Sequence, residues 1–259
     1  MRENFKKIAI FLFLPFFLFA LLNGEPIRQE TLSGKGNYVI LLHGLARTSR
    51  SMVKMKKRLS QSGYSVINID YPSTKHTIEF LAEEYLGRVI ERCKEVPRTK
   101  IHFVTHSLGG IIVRYYLEHH PLSNLGRAVM ISPPNQGSEL VDHMKDMLVF
   151  QKINGPAGQQ LGTDEDSIPL KLGPVDFEVG VITGNRTFDP LFSMLIPGPD
   201  DGKVSVKRAR VTGMSDFLIL PHSHTFIMQK EDVIEQVIHF LEHGSFRHTV
   251  NGTAEENLK

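Results

Sequence analysis

The sequence predicts an α/β fold, a mostly parallel central sheet flanked by helices, and three observations carry that prediction. Short runs of β-forming residues alternate with stretches at helical spacing from Tyr38 to about Glu242. The 259 residues are enough for one sizeable domain with its own core. Hydrophobic residues at 41% and charged residues at 22% lie in the ordinary globular range, which argues against a largely disordered chain.

Taken in order, YVILL from Tyr38 to Leu42 is a continuous apolar run of the kind that forms a strand buried on both faces. The loop HGLARTSRS follows, then a helical stretch near Met52 to Ser62 and a strand from Tyr64 to Asp70 that Tyr71-Pro72 ends. Ile78, Leu81, Ala82, Tyr85, Val89 and Ile90 recur at helical spacing up to Cys93. Lys100 to Thr105 returns as a strand, Gly109 to about His119 as a helix, and Arg127 to Ile131 as a strand stopped by Ser132-Pro133-Pro134.

From Asn135 to Pro174 the alternation breaks, and this stretch is expected to be a short cap insertion, either a lid over the pocket or a helix packed permanently on the body. Its segment ELVDHMKDMLVF puts Leu140, Val141, Met144, Met147 and Leu148 on one helical face. Phe177 to Ile182 resumes as a strand, a Pro/Gly/Asp-rich loop runs to Gly202, Phe217 to Leu220 is a further strand, and Glu231 to Glu242 closes as a helix. Residues 245–259 read as a polar tail, so the expected body is 31–244.

Residues 1–30 stand apart. Arg2, Lys6 and Lys7 precede the apolar run IAIFLFLPFFLFALL, which has the charged and hydrophobic regions of an export signal. The run is interrupted by Pro15 and is shorter than the roughly 20 residues a spanning helix needs. The expected location is therefore exported: periplasmic, secreted, or held at a membrane by an uncleaved N-terminal segment. A net charge of +2 with both signs interspersed gives no basic stripe for nucleic acid. Cys93 is the only cysteine, which excludes an intramolecular disulfide and a thiolate metal cluster; no metal and no cofactor are implied.

The chemistry concentrates where KIHFVTHSLGG passes from strand to helix. A Ser on so tight a strand-to-helix turn is exposed as a nucleophile, and small residues on both sides let strand and helix approach. Gly109 meets the second requirement, and Thr105 stands where Gly or Ala is usual. An oxyanion hole needs backbone N–H groups from the residue after the nucleophile and from the loop after an earlier strand. Leu108 and, through the tight turn at Gly44, Leu45 can supply them. A serine also needs a base and an orienting carboxylate. Downstream, IPGPDDGKVSV offers Asp200 and Asp201, and LILPHSHTFIM offers His222 and His224, which periodicity does not separate.

With HGL at 43–45, THSLGG at 105–110, PPNQGS at 133–138, DDG at 200–202 and HSHTF at 222–226, the chain resembles the small α/β-hydrolases of the bacterial lipase and esterase type over roughly Asn37 to Phe240. The resemblance implies Ser107 as nucleophile, Asp201 as acid and His224 as base, with His106 and His222 as flanking, substrate-binding residues. It implies a serine carboxylic ester hydrolase acting on a small-molecule or lipid ester without a cofactor. Acyl transfer or thioester cleavage at the same site, and a silent hydrolase fold used for binding, are the competing readings.

Overall fold

The structure is a computed structural model and describes residues 36–94 and 99–248. Six strands form one sheet in the order β2-β1-β3-β4-β5-β6: β1 Tyr38–Leu42, β2 Ser65–Ile69, β3 Ile101–His106, β4 Leu125–Ile131, β5 Val179–Gly184 and β6 Asp216–Leu220. Every neighbouring pair is parallel. Parallel neighbours require crossovers, and the crossovers put helices on both faces.

In β1 the period of two decides which side chain meets which layer. Tyr38, Ile40 and Leu42 join the core formed with Ile78, Leu81, Ile90, Leu108 and Ile112. Val39 and Leu41 join the opposite core with Met52, Met55, Leu59, Val233, Ile234 and Phe240. Thus one layer contains Ile78–Leu81 (α2), a π-helical turn Ala82–Gly87, Arg88–Lys94 (α3) and Leu108–His119 (α4). Val53–Gln61 (α1) and the closing helix Glu231–His243 (α10) form the other. Because both faces are covered, all five residues of β1 are buried, which is why YVILL carries no polar alternation.

Between β4 and β5 the expected single helix is two: Glu139–Met144 (α5) and Leu148–Gln159 (α6), followed by Ile168–Lys171 (α7). Leu140, Val141 and Met144 are buried as the spacing predicts, but the break turns Leu148 out to 80% exposure. The cause is tertiary anchoring. Asp142 on α5 accepts from the Thr163 N–H and hydroxyl, and Lys145 pairs with Asp164 at 2.7 Å, so α5 stops where it is tied to the return chain.

This segment is fastened to the body. The buried Arg114 guanidinium on α4 donates to the Asn135 carbonyl at 2.8 Å and to the Leu172 and Gly173 carbonyls at 3.2 and 3.0 Å, gripping both ends of the insertion. Burial lowers Arg114 to about 10. Farther along, Gly155 interrupts α6 at φ 63°, and a side chain there would meet the Thr74 carbonyl oxygen at 1.8 Å. The insertion therefore packs closely against the loop after β2 at this glycine.

Short helices Pro190–Ser193 (α8) and Val206–Ala209 (α9) flank the DDG turn. Beyond α10, Phe246 is 3% exposed and packs on Phe240, while its N–H donates to Asp216 at 2.7 Å. The body thus extends past the expected boundary at 244, because a buried aromatic follows the helix stop at Gly244. The remaining tail and the N-terminal apolar run lie outside the described residues. Among the described residues no helix is long and apolar enough to cross a membrane.

Candidate active site

Ser107 joins β3 to α4 with φ 52° and ψ −120°, a backbone conformation sparsely populated for any residue with a side chain. The strain persists because the turn is held: the Ser107 N–H donates to the Ile131 carbonyl at 2.9 Å, and the Gly110 N–H donates back to the Ser107 carbonyl at 3.0 Å. Gly109 is required by close approach, since a Cβ there would lie 2.7 Å from the Leu42 carbonyl oxygen. Thr105, in place of the usual glycine, is accommodated by Gly110 opposite it, where a Cβ would come within 3.3 Å of the Thr105 hydroxyl.

The loops after β5 and β6 bring a carboxylate and an imidazole to this turn. His224 Nε2 lies 3.0 Å from Ser107 Oγ, and His224 Nδ1 lies 2.8 Å from Asp201 Oδ2. The other carboxylate oxygen, Oδ1, accepts from the Lys203 and Val204 N–H groups at 3.0 and 2.9 Å. Burial works to raise the Asp201 carboxyl, but His224 and the Val204 N–H outweigh it and hold it below its usual range. An ionised Asp201 accepts the Nδ1 proton, which leaves the Nε2 lone pair facing the Ser107 hydroxyl. Asp200 turns away to accept from the Gly202 N–H and the Ser193 hydroxyl.

The backbone of His224 is clamped on both sides. Its N–H donates to the Asp201 carbonyl at 2.9 Å, and its carbonyl accepts from His106 Nε2 at 3.0 Å. The expected role of His106 is substrate contact; the structure places its ring buried behind His224. Burial first, then the His224 and Arg47 charges, push His106 well below 6.5, so it stays neutral. His222 is placed away from the turn. Its Nε2 lies 2.7 Å from Asp232 at the start of α10, so its ring faces that helix and not Ser107.

His43 and Gly44 bring the β1 loop against Ser107. A Cβ on Gly44 would sit 3.2 Å from Ser107 Cβ and 2.7 Å from His106 Nδ1, so only glycine allows the approach that puts Leu45 beside the turn. Tyr71 fixes this loop: its hydroxyl donates to the His43 carbonyl, and its ring stacks on the His43 ring at 4.0 Å. Burial lowers His43 to about 4, and the neutral ring donates from Nδ1 to the Gly44 carbonyl at 2.9 Å. Among the described residues, no protein acceptor takes the N–H of Leu45 or of Leu108.

Tyr71 and Arg114 were not foreseen. Asp70-Tyr71-Pro72 reads as an ordinary turn, and no local signal marks a hydroxyl that reaches back to residue 43. Asp70 itself accepts from the Ser49 N–H at 2.7 Å and belongs to the loop's framework.

A family model described as alpha/beta hydrolase fold matches residues 37–179, more than half of the chain. The chain belongs to the alpha/beta hydrolase family. Among solved structures, the mature Bacillus licheniformis lipase BlEst2 aligns at TM-score 0.63 and 19% identity, covering 84% of this chain and 96% of that one. Phospholipase PlaB from Legionella pneumophila aligns at 0.66 and 16%, covering 82% and 60%. A monoacylglycerol lipase from Paleococcus ferrophilus aligns at 0.57 and 18%, covering 82% and 97%. At these identities the likeness speaks for the fold. No curated protein matches the chain.

Proposed function

We propose that this alpha/beta hydrolase is a serine carboxylic ester hydrolase of the esterase and lipase kind, with Ser107 as nucleophile, His224 as base and Asp201 as its orienting acid. The observation that carries the reading is the continuous hydrogen-bonded line from Asp201 Oδ2 through His224 to Ser107 Oγ, at 2.8 and 3.0 Å. His224 Nε2 takes the Ser107 proton as Oγ attacks the ester carbonyl, and Asp201 stabilises the imidazolium that forms. The N–H groups of Leu45 and Leu108 hold the oxyanion of the tetrahedral intermediate. Collapse expels the alcohol with a proton from His224 Nε2 and leaves an acyl ester on Ser107. Water, deprotonated by the same nitrogen, then releases the acid. Export belongs to the proposal and is supported by the charged and apolar start of the chain.

The test is hydrolysis of p-nitrophenyl esters from acetate to palmitate by the full chain, alongside Ser107→Ala, with a fluorophosphonate probe as a second readout. Turnover and labelling that both vanish in Ser107→Ala support the reading. A folded wild type that neither hydrolyses nor labels refutes it.

A further inference from the structure

In the proposed mechanism Leu45 supplies one of the two oxyanion N–H groups, and the chain around it is pinned at consecutive peptide groups. The His43 carbonyl accepts from the buried Tyr71 hydroxyl. The Gly44 carbonyl accepts from His43 Nδ1 at 2.9 Å. The Ala46 N–H donates to the Ser73 hydroxyl at 3.0 Å. A peptide group is planar and trans, so fixing its carbonyl also fixes the N–H on its far side. The bond to Gly44 therefore sets the direction of the Leu45 N–H, and the bonds before and after it stop the flanking peptide groups from turning.

The bond to Gly44 depends on Tyr71 as well. The Tyr71 N–H donates to His43 Nε2 at 3.4 Å, so that nitrogen accepts and the ring proton sits on Nδ1, facing the Gly44 carbonyl. The Tyr71 ring stacks on the imidazole with 4.0 Å between centres and 11° between planes. Ser73 is buried, and the Ala46 it holds has φ 52°, a conformation that a residue with a side chain keeps only when its surroundings impose it. Both hydroxyls stand on one turn. The Ser73 N–H donates to the Tyr71 carbonyl and the Lys75 N–H to the Pro72 carbonyl, each at 2.9 Å. From the other side α6 closes on this turn, with the Ala157 N–H donating to the His76 carbonyl at 3.1 Å.

We propose that Tyr71 and Ser73 are positioning residues for the oxyanion hole: their hydroxyls hold the Leu45 N–H in the direction the tetrahedral intermediate requires. The inference rests on the ester-hydrolase reading and adds two residues outside the triad. The oxyanion forms only after attack, so a loosened donor raises the barrier and leaves substrate binding alone. Acylation and deacylation both pass through it, so kcat falls whichever step limits. Removing one donor outright costs roughly a hundredfold to a thousandfold, and misaiming one costs less.

Tyr71→Phe keeps the ring that stacks on His43, and Ser73→Ala removes only the hydroxyl. On the full chain with p-nitrophenyl butyrate, each variant loses about tenfold to a hundredfold in kcat with KM within about twofold. A trifluoromethyl ketone, which adds to Ser107 as a tetrahedral oxyanion, loses affinity by about the same factor, and the pH profile of kcat/KM does not move. A merely structural role predicts a lower melting temperature with kcat and ketone affinity kept, and damage to the triad predicts a moved pH profile; either result overturns the inference. Hydrogen exchange of the amides from 43 to 47 reads the pinning without turnover, with faster exchange at Ala46 in both variants. A wild type that neither hydrolyses the ester nor binds the ketone, while its variants lose that protection, would sink the hydrolase reading and leave the pinning of the loop standing. An active wild type whose two variants match it in kcat or in exchange refutes the inference alone.

Discussion

Replacing Asp201 with Asn keeps size and shape and changes one proton. In the structure Oδ1 accepts from two backbone N–H groups, at 3.0 and 2.9 Å, while Oδ2 faces His224 Nδ1 at 2.8 Å. An Asn here is forced into one orientation: its oxygen must stay with the two N–H donors, so its NH2 group faces the imidazole. Nδ1 must then accept, the ring proton moves to Nε2, and the base presents a hydrogen to Ser107 Oγ where it needs a lone pair. A tautomer error of this kind costs on the order of ten thousandfold in kcat. We expect Asp201→Asn to retain the fold by circular dichroism, with kcat for a short p-nitrophenyl ester reduced by about that factor and KM little changed. A variant within about tenfold of the wild type would refute the reasoning, since the orientation of His224 would then not depend on Asp201.

The other expectations are simpler. His222→Ala should keep ester turnover within about twofold and cost at most about 1 kcal/mol in urea melts, because its partner Asp232 is a surface carboxylate; His224→Ala should abolish turnover. Gly109→Ala should lower both activity and melting temperature, by about 1–3 kcal/mol of stability, because the new methyl group has only 2.7 Å to the Leu42 carbonyl. His43 and His102 are held near 4, mainly by burial, against 6.5 when unfolded. The unfolded chain therefore takes up protons first, so stability falls as pH drops from 6.5 to about 4 and these two residues add no further loss below that. Each contributes on the order of 3 kcal/mol across that window, and denaturant titrations of the wild type and His102→Gln at pH 7 and 4.5 measure the share of His102.

The first strand could be read from the sequence because a parallel strand buried on both faces leaves an unbroken apolar run, as YVILL does, whereas IHFVTH is equally buried despite two histidines and a threonine. The meeting of Ser107, Asp201 and His224 was anticipated from chain order and resemblance, since residues so far apart carry no local sign of contact. What the sequence concealed were decisions made by tertiary partners. Helical spacing assigned Leu148 to a buried face because it cannot register that Asp142 and Lys145 are tied elsewhere. His106 and His222 looked alike as neighbours of the site; one spends its proton on the His224 carbonyl and the other faces Asp232. Tyr71 is invisible for the same reason, because its value lies in a carbonyl belonging to residue 43.

Arg114 acts as a clasp. One side chain grips the carbonyls at residues 135, 172 and 173, so the points where the chain leaves the body and re-enters it are fastened to the same group. The two ends of that stretch are thereby held together at its base, and closing a loop of other length at the same base costs entropy that grows only with the logarithm of its length. The distance the chain must span at that base is thus set by one side chain and not by the helices of the segment itself. A substitution at Arg114 would therefore loosen both ends of the segment at once.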